Sequence, residues 1–185
     1  IKWEKEFLKH GKENQEKILS EIKDGKVVHV DETSVKVNTD LHWIHTISNE
    51  RGIFYTVTKK RCDRETGPLD KLASFNNVLV HDHLKSYYTL ENCQHAECNA
   101  HIQRYLQEGI DFEDSEACGK VLEILQMSLH RKHELQRKGY GRMAEEEVSA
   151  ISGMMQTVMS EEIRRYSEER PDIKKRYAAS YIKLF

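Results

Sequence analysis

KVVHVDETSVKV (26–37), LHWIHTISN (41–49) and GIFYTVTKK (52–60) are three short runs rich in β-branched and aromatic residues, and their spacing decides the fold. Such side chains suit a pleated, half-buried surface, where a period of two separates the buried face from the wet one. Between the runs stand Asn38-Thr39-Asp40 and Asn49-Glu50-Arg51-Gly52, residue types that accept tight turns, so the three predict an antiparallel meander. Downstream, Pro68 suits the first turn of a helix reaching about Phe75, and NNVLVHD (76–82) is a nearly all-apolar fourth strand that belongs inside a sheet. HLKSYYTL (83–90) predicts a short helix, HAEC (95–98) a fifth strand, and NAHIQRYLQEG (99–109) a helix that stops near Gly109.

Upstream, residues 3–23 place Trp3, Phe7, Leu8, Ile18, Leu19 and Ile22 among lysines and glutamates, an amphipathic helix stopped near Asp24-Gly25. Toward the other end, Val121, Leu122, Leu125 and Leu129, then Val148, Ile151, Met155 and Val158, recur at helical spacing around Lys138-Gly139-Tyr140-Gly141. That pattern predicts an antiparallel helical hairpin over 115–168, with Met154, Met155 and Met159 as its packing. Pro171 opens a last helix. The β-β-β-α-β-α-β-α succession is the RNase H-like order. It implies an α/β fold: a mixed sheet, with a three-stranded antiparallel meander plus parallel strands, flanked by helices and carrying a helical-hairpin insertion. The expected divisions are a lead-in helix (1–25), the first part of the core (26–110), the insertion (111–168) and the start of a returning core helix (169–185).

A chain of 185 residues has room for one core domain with appendages. Lys and Arg together number 29 against 31 Asp and Glu, so any nucleic-acid contact must come from a local basic surface rather than a global field. The four cysteines form no disulfide scaffold and no apolar run reaches membrane length, which points to a cytoplasmic chain with reduced thiols and no membrane partner. Nothing at the start resembles an export signal.

The chemistry lies at two strand ends. Asp31, in VVHVDET, and Asp82, in VLVHDH, each follow an apolar run, and neighbouring strands lie about 5 Å apart, so two such carboxylates can clamp divalent ions. Aspartates just after strands also serve as turn and capping residues, and spacing alone does not separate the two roles.

The order VVHVDETSVKVNTDLHWIHT, KKRCDRETGPLDKL, VLVHDHLKSYY and CNAHIQRYL resembles the DDE transposases of the insertion-sequence-sixty-six type over about residues 26–138. Asp31, Glu32, Thr33 and Trp43 match that family's first acidic motif, and His81, Asp82 and Tyr87 or Tyr88 match its second. Cys98, His101 and Arg104 match a Cys-x-x-His that leads into a helix. The resemblance implies an RNase H-like core that cuts and joins DNA, both transposon ends and target, using two Mg²⁺ or Mn²⁺ ions held by Asp31 and Asp82. It leaves a homo-oligomer open. Cys98, His101, Arg104, Lys60 and Arg61 are then near-site structural or DNA-contacting residues. The family's third acid, a glutamate in an Asn-Asn-x-x-Glu-Arg-like motif, has no match here. The chain is therefore expected to be a catalytic-core fragment, inactive alone. An RNase H-like nuclease, or a truncated or domesticated product that binds DNA or a partner without catalysis, is the alternative.

Two clusters need separate weighing. Cys93, His95, Cys98 and His101 are zinc-competent residue types at a spacing unusual for a zinc finger, set against a buried Cys98 with His101 hydrogen-bonded near the site. Lys59, Lys60, Arg61 and Arg64, with Lys85 and Arg104 elsewhere, can contact phosphates if the fold brings them beside the aspartates, and are ordinary surface charge otherwise. His29, His42 and His45 read as structural or solvent-facing, and Trp43 as core.

Overall fold

The computed structural model describes residues 2–61 and 65–169. Helix α1 (Lys2–Lys23) leads into β1 (Val27–Val37), β2 (Asp40–Asn49) and β3 (Gly52–Thr58). Then come α2 (Pro68–Lys71), β4 (Val78–His81), a 3-10 turn (Tyr87–Thr89), β5 (Gln94–Glu97), α3 (Asn99–Glu113), α4 (Glu116–Arg137) and α5 (Glu145–Glu169). The five strands form one sheet in the order β3-β2-β1-β4-β5. The first three run antiparallel, while β4 pairs with β1, and β5 with β4, in parallel. This is the mixed RNase H-like sheet that the element order implied.

The meander closes through tight connections. Val37 pairs with Asp40 across a turn in which Asn38 takes φ 56°, a left-handed conformation that asparagine tolerates better than most residues. At the next turn, Asn49 Oδ1 accepts from Arg51 N at 2.8 Å while its Nδ2 donates to Ile22 O at 3.0 Å, so one side chain shapes the hairpin and ties α1 to it. Burial alternates along β1: Val28 and Val30 are buried while Val27, His29 and Asp31 are exposed. The buried set joins Ile22 of α1, Ile47, Phe54, Leu69, Leu72, Phe75, Leu79 and Tyr87 in one apolar cluster.

The chain divides into two compact units, Ile1–Cys98 and a second that begins at Asn99. In the second, Ile102 and Leu106 of α3, Cys118, Val121, Ile124 and Leu125 of α4, and Met155 and Met159 of α5 make a separate core. Ser115 caps α4 by accepting from Cys118 N at 3.2 Å. Gly139 (φ 84°) ends it, with Gly139 N bonded to Gln136 O and Tyr140 N to Leu135 O.

Two expected elements differ. HLKSYYTL is not a helix but a short 3-10 turn, because the Asp82 carboxylate takes Leu84 N at 3.0 Å and the following bonds, Tyr87 N to Leu84 O and Leu90 N to Tyr87 O, span three residues. Nor does α3 stop at Gly109. It continues to Glu113, and Gly109 sits where a Cβ would lie 2.6 Å from Cys118 Sγ. That glycine permits close helix packing rather than ending a helix. The helix expected from Pro171 lies outside the described residues, as do Cys62 and Arg64. No helix among the described residues is long and apolar enough to cross a membrane.

Candidate active site

The parallel pairing of β1 with β4 matches Val27 with Val78, Val28 with Leu79 and His29 with Val80. Two residues further along each chain stand Asp31 and Asp82, at equivalent heights where the strands leave their shared ladder. The expectation that Asp31 ends its strand is not met: β1 continues to Val37 and Asp31 pairs with Thr46 of β2, because β2 extends the ladder beyond the apolar run, whereas Asp82 follows the last residue of β4. Asp31 is exposed, and its Oδ1 accepts from Glu32 N at 2.9 Å. Asp82 is 8% exposed, and its Oδ1 is committed to Leu84 N.

Beside them lies a group that the sequence reading passed over. Glu32 shares the parity of Val28 and Val30 on β1, so it points to the buried side of the sheet, and its side chain has 0% exposure. A carboxylate buried that far must be neutralised and hydrogen-bonded. Glu32 Oε1 accepts from Arg61 Nε at 2.8 Å and lies 2.8 Å from Arg61 Nη2, while Oε2 accepts from Tyr87 Oη at 2.6 Å. Arg61 Nη2 is also 3.6 Å from Asp82 Oδ2, and the guanidinium carbon sits 5.1 Å from the centre of the Trp43 ring. Burial pushes the Tyr87 hydroxyl well above the usual tyrosine range. Its bond to Glu32 adds to that, as do the Asp82 and Asp31 charges, so it remains a donor. The backbone that carries Arg61 is pinned too: Thr58 Oγ1 donates to Lys60 O at 2.7 Å and pairs with the buried His45 Nε2 at 2.8 Å.

On the other side of Asp82, His81 is fully buried, and its Nδ1 donates to Asp82 O. Its Nε2 lies 2.9 Å from His95 Nδ1, and His95 Nε2 donates to Leu90 O at 3.1 Å. Burial holds the His81 ring below the usual histidine range. Tyr87, Tyr88 and His95 pack their rings around it.

The remaining expected residues scatter. Lys59, Lys60 and Lys85 are exposed surface residues, and among the described residues of the basic cluster Arg61 lies beside Asp82. Cys98 is half-buried rather than buried, with its N donating to His81 O at 2.8 Å. Strand β5 ends one residue before Cys98, which leaves its side chain at the rim of the sheet rather than inside the core. His101 and Arg104 belong to the second unit. There His101 packs against the Tyr105 ring and Arg104 Nε donates to Ala100 O. Cys93 Sγ approaches His95 Nε2 at 3.8 Å, but no group of three or more His, Cys, Asp or Glu among the described residues is arranged to hold a metal ion.

The sheet has the RNase H-like strand order, with Asp31 inside β1 and Asp82 just past the end of β4. The model of the family described as "Transposase IS66 family" matches residues 1–183, and the chain belongs to that family. No curated protein matches it by sequence. Among solved structures, the HTLV-2 integrase catalytic core domain in complex with magnesium, in a trimeric form, is similar at 14% identity and a TM-score of 0.32. The likeness covers 45% of this chain and 70% of that one. At that level it adds nothing to the strand order already described.

Proposed function

We propose that the chain is the catalytic-core portion of a transposase that cleaves DNA and joins its ends to a target, with Asp31 and Asp82 as the metal-binding acids. The single observation that supports this reading is the parallel pairing of β1 with β4, whose ladder ends two residues before each aspartate. Two carboxylates supply the hard oxygen donors that Mg²⁺ or Mn²⁺ prefers, so the donor set fits such ions. When bound, the ions activate an attacking oxygen and stabilise the leaving one in an in-line displacement at phosphorus.

The chain's own residues prepare the place. Leu84 N fixes the Asp82 carboxylate, with Arg61 Nη2 nearby at 3.6 Å, and Glu32 N orients that of Asp31. Tyr87 and His81 close the buried side of the site against water. A two-ion site needs a further acid, which we place outside the described residues, and residues 111–168 would then form a helical insertion before it. The partners are transposon ends and target DNA.

The test is strand transfer on DNA carrying the element's terminal sequence in Mn²⁺, by this chain and by one extended to include an Asn-Asn-x-x-Glu-Arg-like segment. Joining by the extended chain, abolished by Asp31→Asn or Asp82→Asn, is the expected result. Undiminished joining in both variants would overturn the assignment of the acids.

A further inference from the structure

We propose that Glu32 is a positioning residue: with Tyr87 it holds the Arg61 guanidinium beside Asp82, where Arg61 takes a non-bridging oxygen of the DNA backbone. The inference rests on the reading of the site as a DNA-processing centre and extends it to two residues with no metal role. Three observations carry it. Glu32 is a strand residue whose carboxylate has 0% exposure, and both of its oxygens are committed to Arg61 and Tyr87. That commitment leaves it poorly placed as a metal ligand. Arg61 keeps 45% side-chain exposure although its Nε and Nη2 are anchored from within, so the group meets solvent while it is held. Trp43 backs the guanidinium at 5.1 Å, restricting it to one plane.

The arrangement costs burial of a charge. A guanidinium needed only to neutralise Glu32 has no reason to reach Asp82 Oδ2 at 3.6 Å. Near a strand-end carboxylate, a fixed cation offsets the repulsion between acids and phosphate, and a planar fork suits a phosphate better than a lysine does.

The test reads DNA binding without catalysis. A fluorescein-labelled duplex of arbitrary sequence is titrated with the full chain in EDTA over a range of NaCl concentrations, and each variant's melting temperature is recorded. Arg61→Gln should lower the slope of log K against log salt by about 0.9, the loss of one phosphate contact. Arg61→Lys should recover the slope but not the affinity, because it keeps the charge and loses the fork. Glu32→Gln should bind several-fold more weakly at an unchanged slope, because the cation remains but is no longer held. Tyr87→Phe removes just the hydroxyl and should shift affinity in the same direction, which keeps the proposal testable if Glu32→Gln fails to fold. Lys36→Gln, at the far end of β1, controls for lost charge. A slope unchanged in Arg61→Gln, or lowered as much in Lys36→Gln, would overturn the phosphate contact. Parent-like binding by folded Glu32→Gln or by Tyr87→Phe would overturn the positioning role. Absence of any DNA binding by the parent chain would instead sink the DNA-processing reading itself.

Discussion

A methyl group on Gly109 would stand 2.6 Å from Cys118 Sγ, so α3 and α4 approach at a distance that glycine allows and alanine does not. Alanine gains about 1 kcal/mol over glycine in a helix interior, whereas overpacking a filled core costs about 1–3 kcal/mol. Cys118 is fully buried. Gly109→Ala is therefore expected to destabilise the chain despite its better propensity, by about 1 kcal/mol net in urea denaturation. Adding Cys118→Ala should recover part of the loss. A Gly109→Ala chain more stable than the parent would show that the helices can separate freely.

Leu106 is completely buried in the core shared by α3, α4 and α5. Leu106→Ala removes packing that the neighbouring helices cannot refill without moving, and should cost about 2–5 kcal/mol. Loss of less than about 1 kcal/mol on denaturation would mean that the three helices do not share a packed core.

Bonds from Lys138 and then Arg131 pull the Glu134 carboxyl down to about 2 from an ordinary value of 4.5. Arg131 also reaches Glu147 at 2.6 Å, which links α4 to α5. Because the folded value lies below the unfolded one, the stabilisation is complete above pH 4.5 and fades as pH falls toward about 2. The advantage of the parent over Glu134→Gln in urea midpoint should accordingly shrink below pH 4.5, and should be small throughout because the group is exposed. High salt should shrink it at every pH. A gap that widens on acidification would contradict the assignment.

Mn²⁺ should raise the melting temperature of the parent chain, since a ligand that binds the folded state alone stabilises it, and EDTA should reverse the rise. Asp82→Asn should lose that increment. Without metal it should melt within a few degrees of the parent, because an asparagine oxygen can still accept from Leu84 N and the pairing with a half-exposed Arg61 at 3.6 Å is weak. Equal Mn²⁺ shifts in both chains would place the metal elsewhere.

The strands and long helices were legible because their signal is local. The runs around Val30, Ile47 and Phe54 carry period-two apolar patterns, and those around Val121 and Met155 carry helical ones. Asp82 was legible as a strand end; Asp31 was not one, because β1 runs on past the apolar residues to Val37 along β2. The parallel pairing of β1 with β4 was not legible, since it joins distant segments. Glu32 passed as the middle letter of a motif, although its parity with Val28 and Val30 already pointed it inward, and an inward carboxylate demands a cation. Gly109 misled because a helix-ending glycine and a helix-contact glycine look alike until the neighbouring helix is known. The turn after Asp82 misled because a side chain took the backbone N–H that a helix would need.

The register of β1 also bears on how the chain assembles. Its join to β2, and that of β2 to β3, run through turns of a few residues, and such hairpins close on a microsecond scale. The join of Val27 to Val78 must instead wait for the meander, α2 and their connections to be gathered in, a long loop whose closure entropy is spent before any contact repays it. The half-made chain thus carries Asp31 and Asp82 on separate segments, and they join one sheet only when that ladder zips.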